Sequence, residues 1–146
     1  RRKDGEIRMK CYAVIDTNVL VSALLSKDEK SATVQVLERV LNKEIIPIYS
    51  KVIMREYQEV LLRKKFGFSE KAIQCIISYI RQNGKTVVPT TVDEKLIDIK
   101  DLPFYKVVMD TRTKNSYLVT GNIKHFPKRD YIVSPRQLID ILENKS

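Results

Sequence analysis

Few of the residues that mark a specialised site are plentiful in this chain. Its 146 residues include four glycines, two cysteines and one histidine. One histidine and two cysteines without CxxC or Cys/His spacing leave no ligand set for structural zinc. Cys11 and Cys75 stand alone and read as reduced thiols in or near the core of a cytoplasmic protein. None of the glycines forms a phosphate-cradling loop after the first expected strand, which argues against a dinucleotide-binding protein. No apolar run approaches the roughly 20 residues of a membrane span, so no membrane partner is expected. The stretch Arg1 to Arg8 is polar and lacks the apolar segment of a secretory signal.

What remains is the profile of a globular domain. The chain is 43% apolar and 31% charged, and its length suits one domain with a proper core. Residues 9–146 are expected to form it, with residues 1–8 as an N-terminal extension outside the fold, because Met9 is a natural start position. The net charge is +9, and +7 without the four basic and two acidic residues of that extension. A domain this basic favours polyanions, with nucleic acid first among them.

The chain is organised around Tyr12-Ala13-Val14-Ile15-Asp16-Thr17-Asn18-Val19-Leu20. Ala13 to Ile15 has the length and β-branched content of a buried strand. Apolar residues resume at Val19 with helical spacing, so Asp16 falls at the strand's C-terminal tip. Open α/β sheets place their ligands there. Thr17 and Asn18 are expected to bond backbone N–H groups and start the helix.

Further along, Ser31 or Ala32 opens a helix with Val34, Val36, Leu37, Val40 and Leu41 as its stripe. Ile45 to Tyr49 reads as a strand whose Pro47 suggests an edge position or a strand end. Ser50 is an N-cap, followed by Val52, Ile53, Tyr57, Val60 and Leu61 toward the core. Glu56 lies among them, at the rim of the core or in a site; otherwise it is a solvated flank residue pairing with Arg55 or Arg63. Ser69-Glu70 opens another helix, ended by Asn83-Gly84. Lys85 to Pro89 reads as a strand and Thr90 to Lys95 as a polar connection. Asp101 near the N-cap and Pro103 just inside mark the next helix. Tyr117 to Thr120 and Tyr131 to Val133 read as strands, and Ser134-Pro135 caps a last helix. The order β-α-α-β-α-α-β-α-β-β-α implies a mostly parallel sheet with helices on both faces, a three-layer α/β/α sandwich.

In such a sheet the strand C-termini share one edge. Asp16, Thr120 to Asn122 and the start of the helix after Asp101 then fall together, with Glu56 and Asp98 as further candidates. Several carboxylates at close range repel unless a cation neutralises them. Oxygen-only ligands favour Mg²⁺ or Mn²⁺. Such ions, open to phosphate, suit in-line hydrolysis of a phosphodiester. A basic domain with an acidic centre fits that chemistry, since cations hold a nucleic-acid backbone while carboxylates hold the metal.

At these residues the sequence resembles the PIN-domain ribonucleases, most of all the toxin components of bacterial toxin–antitoxin systems. The matching pieces are Val14-Ile15-Asp16-Thr17-Asn18-Val19-Leu20, Ser50 with Glu56-Tyr57 and Val60-Leu61, Asp98-Ile99-Lys100-Asp101-Leu102-Pro103-Phe104, and Tyr117-Leu118-Val119-Thr120-Gly121-Asn122. The resemblance implies Mg²⁺- or Mn²⁺-dependent cleavage of single-stranded RNA. It makes Asp16, Glu56 and Asp101 the metal-binding, catalytic carboxylates, and Thr17, Asn18 and Thr120 their polar supports. Asp98 is a further ligand or the true one in place of Asp101. Asn122 stands where the family often has an aspartate; its amide can coordinate but brings no charge, which weakens a second metal. His125 is a possible substrate contact. An antitoxin covering the acidic cleft and a homodimer are the implied partners.

Two other readings compete. One is an inactive or weak nucleic-acid-binding or regulatory module of the same fold, with Asn122 as the lesion. The other is a haloacid-dehalogenase-like phosphatase, which needs a second aspartate where this chain has Asn18.

Overall fold

The central strand forms where an apolar run leaves no polar face to expose. β1 (Cys11–Ile15) is buried over its last three residues, and it lies in the middle of the sheet with strands on both sides. The computed structural model describes residues 10–90, 92 and 97–144. The expected extension, residues 1–8, lies outside the described residues, as do Thr91 and Asp93 to Lys95 of the expected polar connection.

After β1 come α1 (Thr17–Leu25), α2 (Ala32–Leu41), β2 (Ile45–Tyr49), α3 (Lys51–Leu61), α4 (Glu70–Asn83) and β3 (Lys85–Thr86). They are followed by α5 (Leu102–Asp110), β4 (Tyr117–Val119), β5 (Ile132–Val133) and α6 (Pro135–Asn144). The strand order is β3-β2-β1-β4-β5, and every pairing is parallel. α2 packs on α1, α6 and β2, while α5 packs on β1, β2, β4 and α3, and α3 on α4. The sheet is therefore enclosed between two helical groups, as the alternating order implies. Among the described residues no helix is long and apolar enough to cross a membrane.

Helix starts follow the expected caps. Ser31, Ser50 and Ser69 accept hydrogen bonds from the N–H groups of Val34, Ile53 and Ala72, satisfying donors that have no partner inside the helix. At α6 the cap is reciprocal. Ser134 Oγ accepts from the Gln137 N–H, and Gln137 Oε1 accepts from the Ser134 N–H.

Three expectations are corrected. β2 is an interior strand, although it carries Pro47. Its outer neighbour β3 pairs only with Ile48 and Tyr49, so no strand flanks Pro47 on that side and its missing N–H interrupts no ladder. The same crowding explains Gly84. A Cβ there would come within 2.6 Å of the carbonyl oxygens of Ile80 and Pro47. β3 covers only Lys85 and Thr86; the Val87 N–H makes a last bond to the Tyr49 carbonyl of β2 before the chain leaves the sheet. In α3 the buried face takes Met54 rather than Val52, which is half exposed.

Candidate active site

The end of β1 is tied to its neighbours by hydrogen bonds that aim polar side chains over the sheet edge. The Asp16 N–H donates to the Val119 carbonyl, and the Thr120 N–H to that of Val133. The β1 and β4 tips are thus level, and the side chains that follow meet. The Thr120 hydroxyl donates to Asp16 Oδ2 at 2.8 Å and accepts from the Asn122 N–H at 3.0 Å. Asn18 Oδ1 accepts from the Gly121 N–H at 3.2 Å. Asp16 Oδ1 receives the Asn18 N–H at 3.5 Å, so Asp16 itself is the N-cap of α1.

That arrangement frees Thr17 and Asn18 from the capping expected of them. The Thr17 hydroxyl donates to Glu56 Oε2 at 2.5 Å, joining the start of α1 to the middle of α3. Glu56 is half-buried, and its partner is this hydroxyl rather than Arg55 or Arg63. The next residue, Tyr57, is fully buried and donates its hydroxyl to the Ile15 carbonyl at 2.5 Å. Tyr57 reads from sequence as a core ring alone, and its bond to β1 has no sequence signal.

Asp101 occupies the N-cap position of α5 but makes no side-chain cap bond. Its backbone is helical there, with φ −90° and ψ −17°, whereas a capping side chain needs an extended residue. The carboxylate turns instead toward the cleft and toward His125, whose Nδ1 lies 3.4 Å from Asp101 Oδ2. Asp98 is exposed and accepts the Lys100 N–H in a tight turn. It lies outside the cleft lining, as does His125, and reaches the site through its charge beside Asp101.

Asp16, Thr17, Asn18, Glu56, Asp101 and Asn122 line one open cleft of about 900 Å³. The cleft therefore brings together three of the four expected carboxylates with Asn122. Asp16 is only 6% exposed. Burial raises its pKa to about 6; the Thr120 hydroxyl and Asn18 N–H oppose this, and the charges of Asp101 and Glu56 add to it. Burial also raises Asp101, with Asp98 adding and His125 opposing. Tyr57 is held well above the usual phenol range by burial, so it remains a neutral donor.

The carboxylates share a cleft without closing into a cage. Among the described residues no three His, Cys, Asp or Glu side chains are grouped so as to hold an ion by themselves. This donor set still fits a small hard cation. Mg²⁺ keeps several waters and takes one or two carboxylates, with substrate phosphate completing its shell. Asp16, with Glu56 or Asp101 and the Asn122 amide oxygen, supplies oxygen of that kind in an open site.

Val21, Leu25, Val60, Arg63, Phe66 and Lys100 also line the cleft; of these, Val21, Leu25 and Phe66 carried no sequence signal of a site.

Comparison with known proteins agrees with this architecture. Residues 12–124 match the sequence profile described as PIN domain. The crystal structure of PAE2754 from Pyrobaculum aerophilum superposes with a TM-score of 0.56 at 14% identity, covering 93% of this chain and 91% of that one. No curated protein matches the chain.

Proposed function

Since a profile spanning residues 12–124 places the chain in the PIN domain family, we propose that it is a Mg²⁺- or Mn²⁺-dependent endoribonuclease acting on single-stranded RNA. The observation that carries this reading is the buried Asp16 carboxylate, opening with Glu56 and Asp101 onto one cleft in a chain of net charge +9. Bound there, a divalent ion supplies an activated water and neutralises charge at the phosphodiester. Asp16, with Glu56 or Asp101 and the Asn122 amide oxygen, would hold that ion. Thr120 fixes the rotamer of Asp16, and Thr17 fixes that of Glu56. Lys100 and Arg63, on the cleft walls, attract the RNA backbone. His125 orients Asp101 from outside the cleft.

The toxin of a toxin–antitoxin pair is the biological role proposed with it. It rests on the sequence resemblance and on an open acidic cleft that a protein inhibitor could cover.

The test is cleavage of end-labelled single-stranded RNA by purified protein, with and without Mn²⁺, beside Asp16→Asn. Metal-dependent cleavage lost in Asp16→Asn supports the reading. Equal RNA loss in both proteins marks a contaminant and removes it. A second reading, a nucleic-acid-binding module without turnover, is favoured by the neutral Asn122. It predicts RNA affinity indifferent to Mn²⁺ and no cleavage.

A further inference from the structure

Asp16, Glu56 and Asp101 lie at the end of the cleft where α1 begins, and Glu59 lines it further along α3. From that end the cleft runs along the facing sides of α1 and α3, which pack on each other. On α1 the lining residues Thr17, Val21 and Leu25 recur every four positions, and on α3 Glu56 is followed by Val60. Each step advances about 6 Å along its helix axis. Beyond Thr17 and Glu56 the lining mixes the apolar Val21, Leu25, Val60 and Phe66 with Ser22, Ser26, Glu59 and Arg63.

Three of these apolar side chains lie outside the hydrophobic core. Leu25, Val60 and Phe66 belong neither to the buried cluster nor to the residues packed against it. Leu25 is half exposed. Phe66 is the most telling. Gly67 follows it with φ +69°, a left-handed turn that brings the rings of Phe66 and Phe68 into a stack at 5.7 Å between centroids. Phe68 packs against the core, so the inner ring anchors the outer one at the cleft. Lys65 Nζ lies over the Phe66 ring, 5.1 Å from its centroid, so a base stacks there by displacing this exposed, flexible side chain, and Arg63 lines the same cleft. An aromatic ring backed by the core, open to a cleft and flanked by two cations is the arrangement that binds a nucleobase by its face and its phosphate by charge.

We infer that Phe66, with Leu25, Val60, Arg63 and Lys65 around it, is a base-stacking subsite for an unpaired nucleotide further along the cleft from the phosphate that an ion at Asp16 would hold. It rests on the ribonuclease reading and adds a reason for single-strand selectivity. A paired base cannot offer its face to the ring. Glu59, on the same wall, keeps the rim from being uniformly basic, so the ring rather than charge alone selects the ligand.

The experiment uses the full chain in an Asp16→Asn background, which keeps the strand intact. The probe is a single-stranded oligoribonucleotide carrying one 2-aminopurine, and the same strand in a duplex. Stacking quenches the probe's fluorescence on the single strand and not on the duplex. Phe66→Ala abolishes the quenching and weakens binding roughly ten- to a hundredfold; Phe66→Tyr retains both. Because Phe66 lies outside the core, the melting temperature of Phe66→Ala stays close to that of its parent. In the otherwise unsubstituted chain, Phe66→Ala raises KM more than it lowers kcat. Equal affinity of parent and Phe66→Ala, or equal affinity for strand and duplex, overturns the subsite while cleavage by the unsubstituted chain still stands. If the unsubstituted chain neither binds nor cuts RNA, the ribonuclease reading fails together with the subsite.

Discussion

The Tyr57 hydroxyl and the Ile15 carbonyl meet at 2.5 Å across 42 positions of chain. The bond pins α3 to the tip of β1, one residue before Asp16 and one residue after Glu56. It therefore sets the spacing between the two carboxylates from inside the core. Tyr57→Phe leaves the ring in place and deprives a buried acceptor of a donor. It should lower unfolding free energy by about 1–3 kcal/mol, read from urea denaturation. Mn²⁺ affinity should fall as well, which loss of stability alone does not produce.

Asp16 gives a pH dependence of definite sign. Its pKa rises from 3.8 in the unfolded chain to about 6 on folding, mainly by burial. The native state then holds the extra proton between those values. Its contribution to stability is fully present below pH 3.8, declines as pH rises, and is gone above about 6. Above pH 6 the metal-free protein therefore carries a buried charge. Asp16→Asn should be more stable than the parent at pH 7.5 in EDTA by up to about 3 kcal/mol, with the difference vanishing toward pH 4. Adding Mn²⁺ should raise the melting temperature of the parent and not of the variant. Thermal melts across pH with and without metal check both.

Thr120 is the strongest support of that charge. Its hydroxyl donates to Asp16 and accepts from the Asn122 N–H, so Thr120→Val removes both bonds while keeping the side chain's shape. The Asp16 pKa should rise further, and the pH at which Mn²⁺ binds should move upward with it. Thr120→Ser should behave like the parent. The pH profile of Mn²⁺ binding separates the two.

Asn122 brings an uncharged oxygen to the cleft that Asp16, Glu56 and Asp101 line. Asn122→Asp adds charge where repulsion already raises Asp16. In EDTA it should lower the melting temperature at pH 7.5; in Mn²⁺ it should bind metal more tightly and cut RNA faster. Unchanged metal affinity would show that this position does not reach the ion.

The parts of the fold that sequence revealed are those governed by local chemistry. Serine caps and the buried run at β1 act through their neighbours in sequence, whereas the Thr120-Gly121-Asn122 tip, though visible as a strand end, bonds to Asp16 and Asn18 more than a hundred positions away. Asp16 was legible because an apolar run stops there. What escaped depends on partners far along the chain. Pro47 suggested an edge, and only the shortness of β3 lets it sit inside the sheet. Asp101 looked like a cap by composition, but the helical backbone at that residue turns its carboxylate to other work. Thr17 looked like a helix starter because its partner Glu56 is 39 residues away. Phe66 lies in a connector without periodicity, so nothing in its surroundings marks it as part of a cleft wall.

The pairing of Asp16 with Thr120 spans 104 positions, and the two residues follow adjacent parallel strands. Because parallel neighbours close only after a long crossover, a chain emerging from the ribosome N-terminus first carries Asp16 long before it carries the threonine that steadies it. The hydrogen bond that steadies Asp16 therefore waits for nearly the whole chain, and forms only once β4 has come in beside β1.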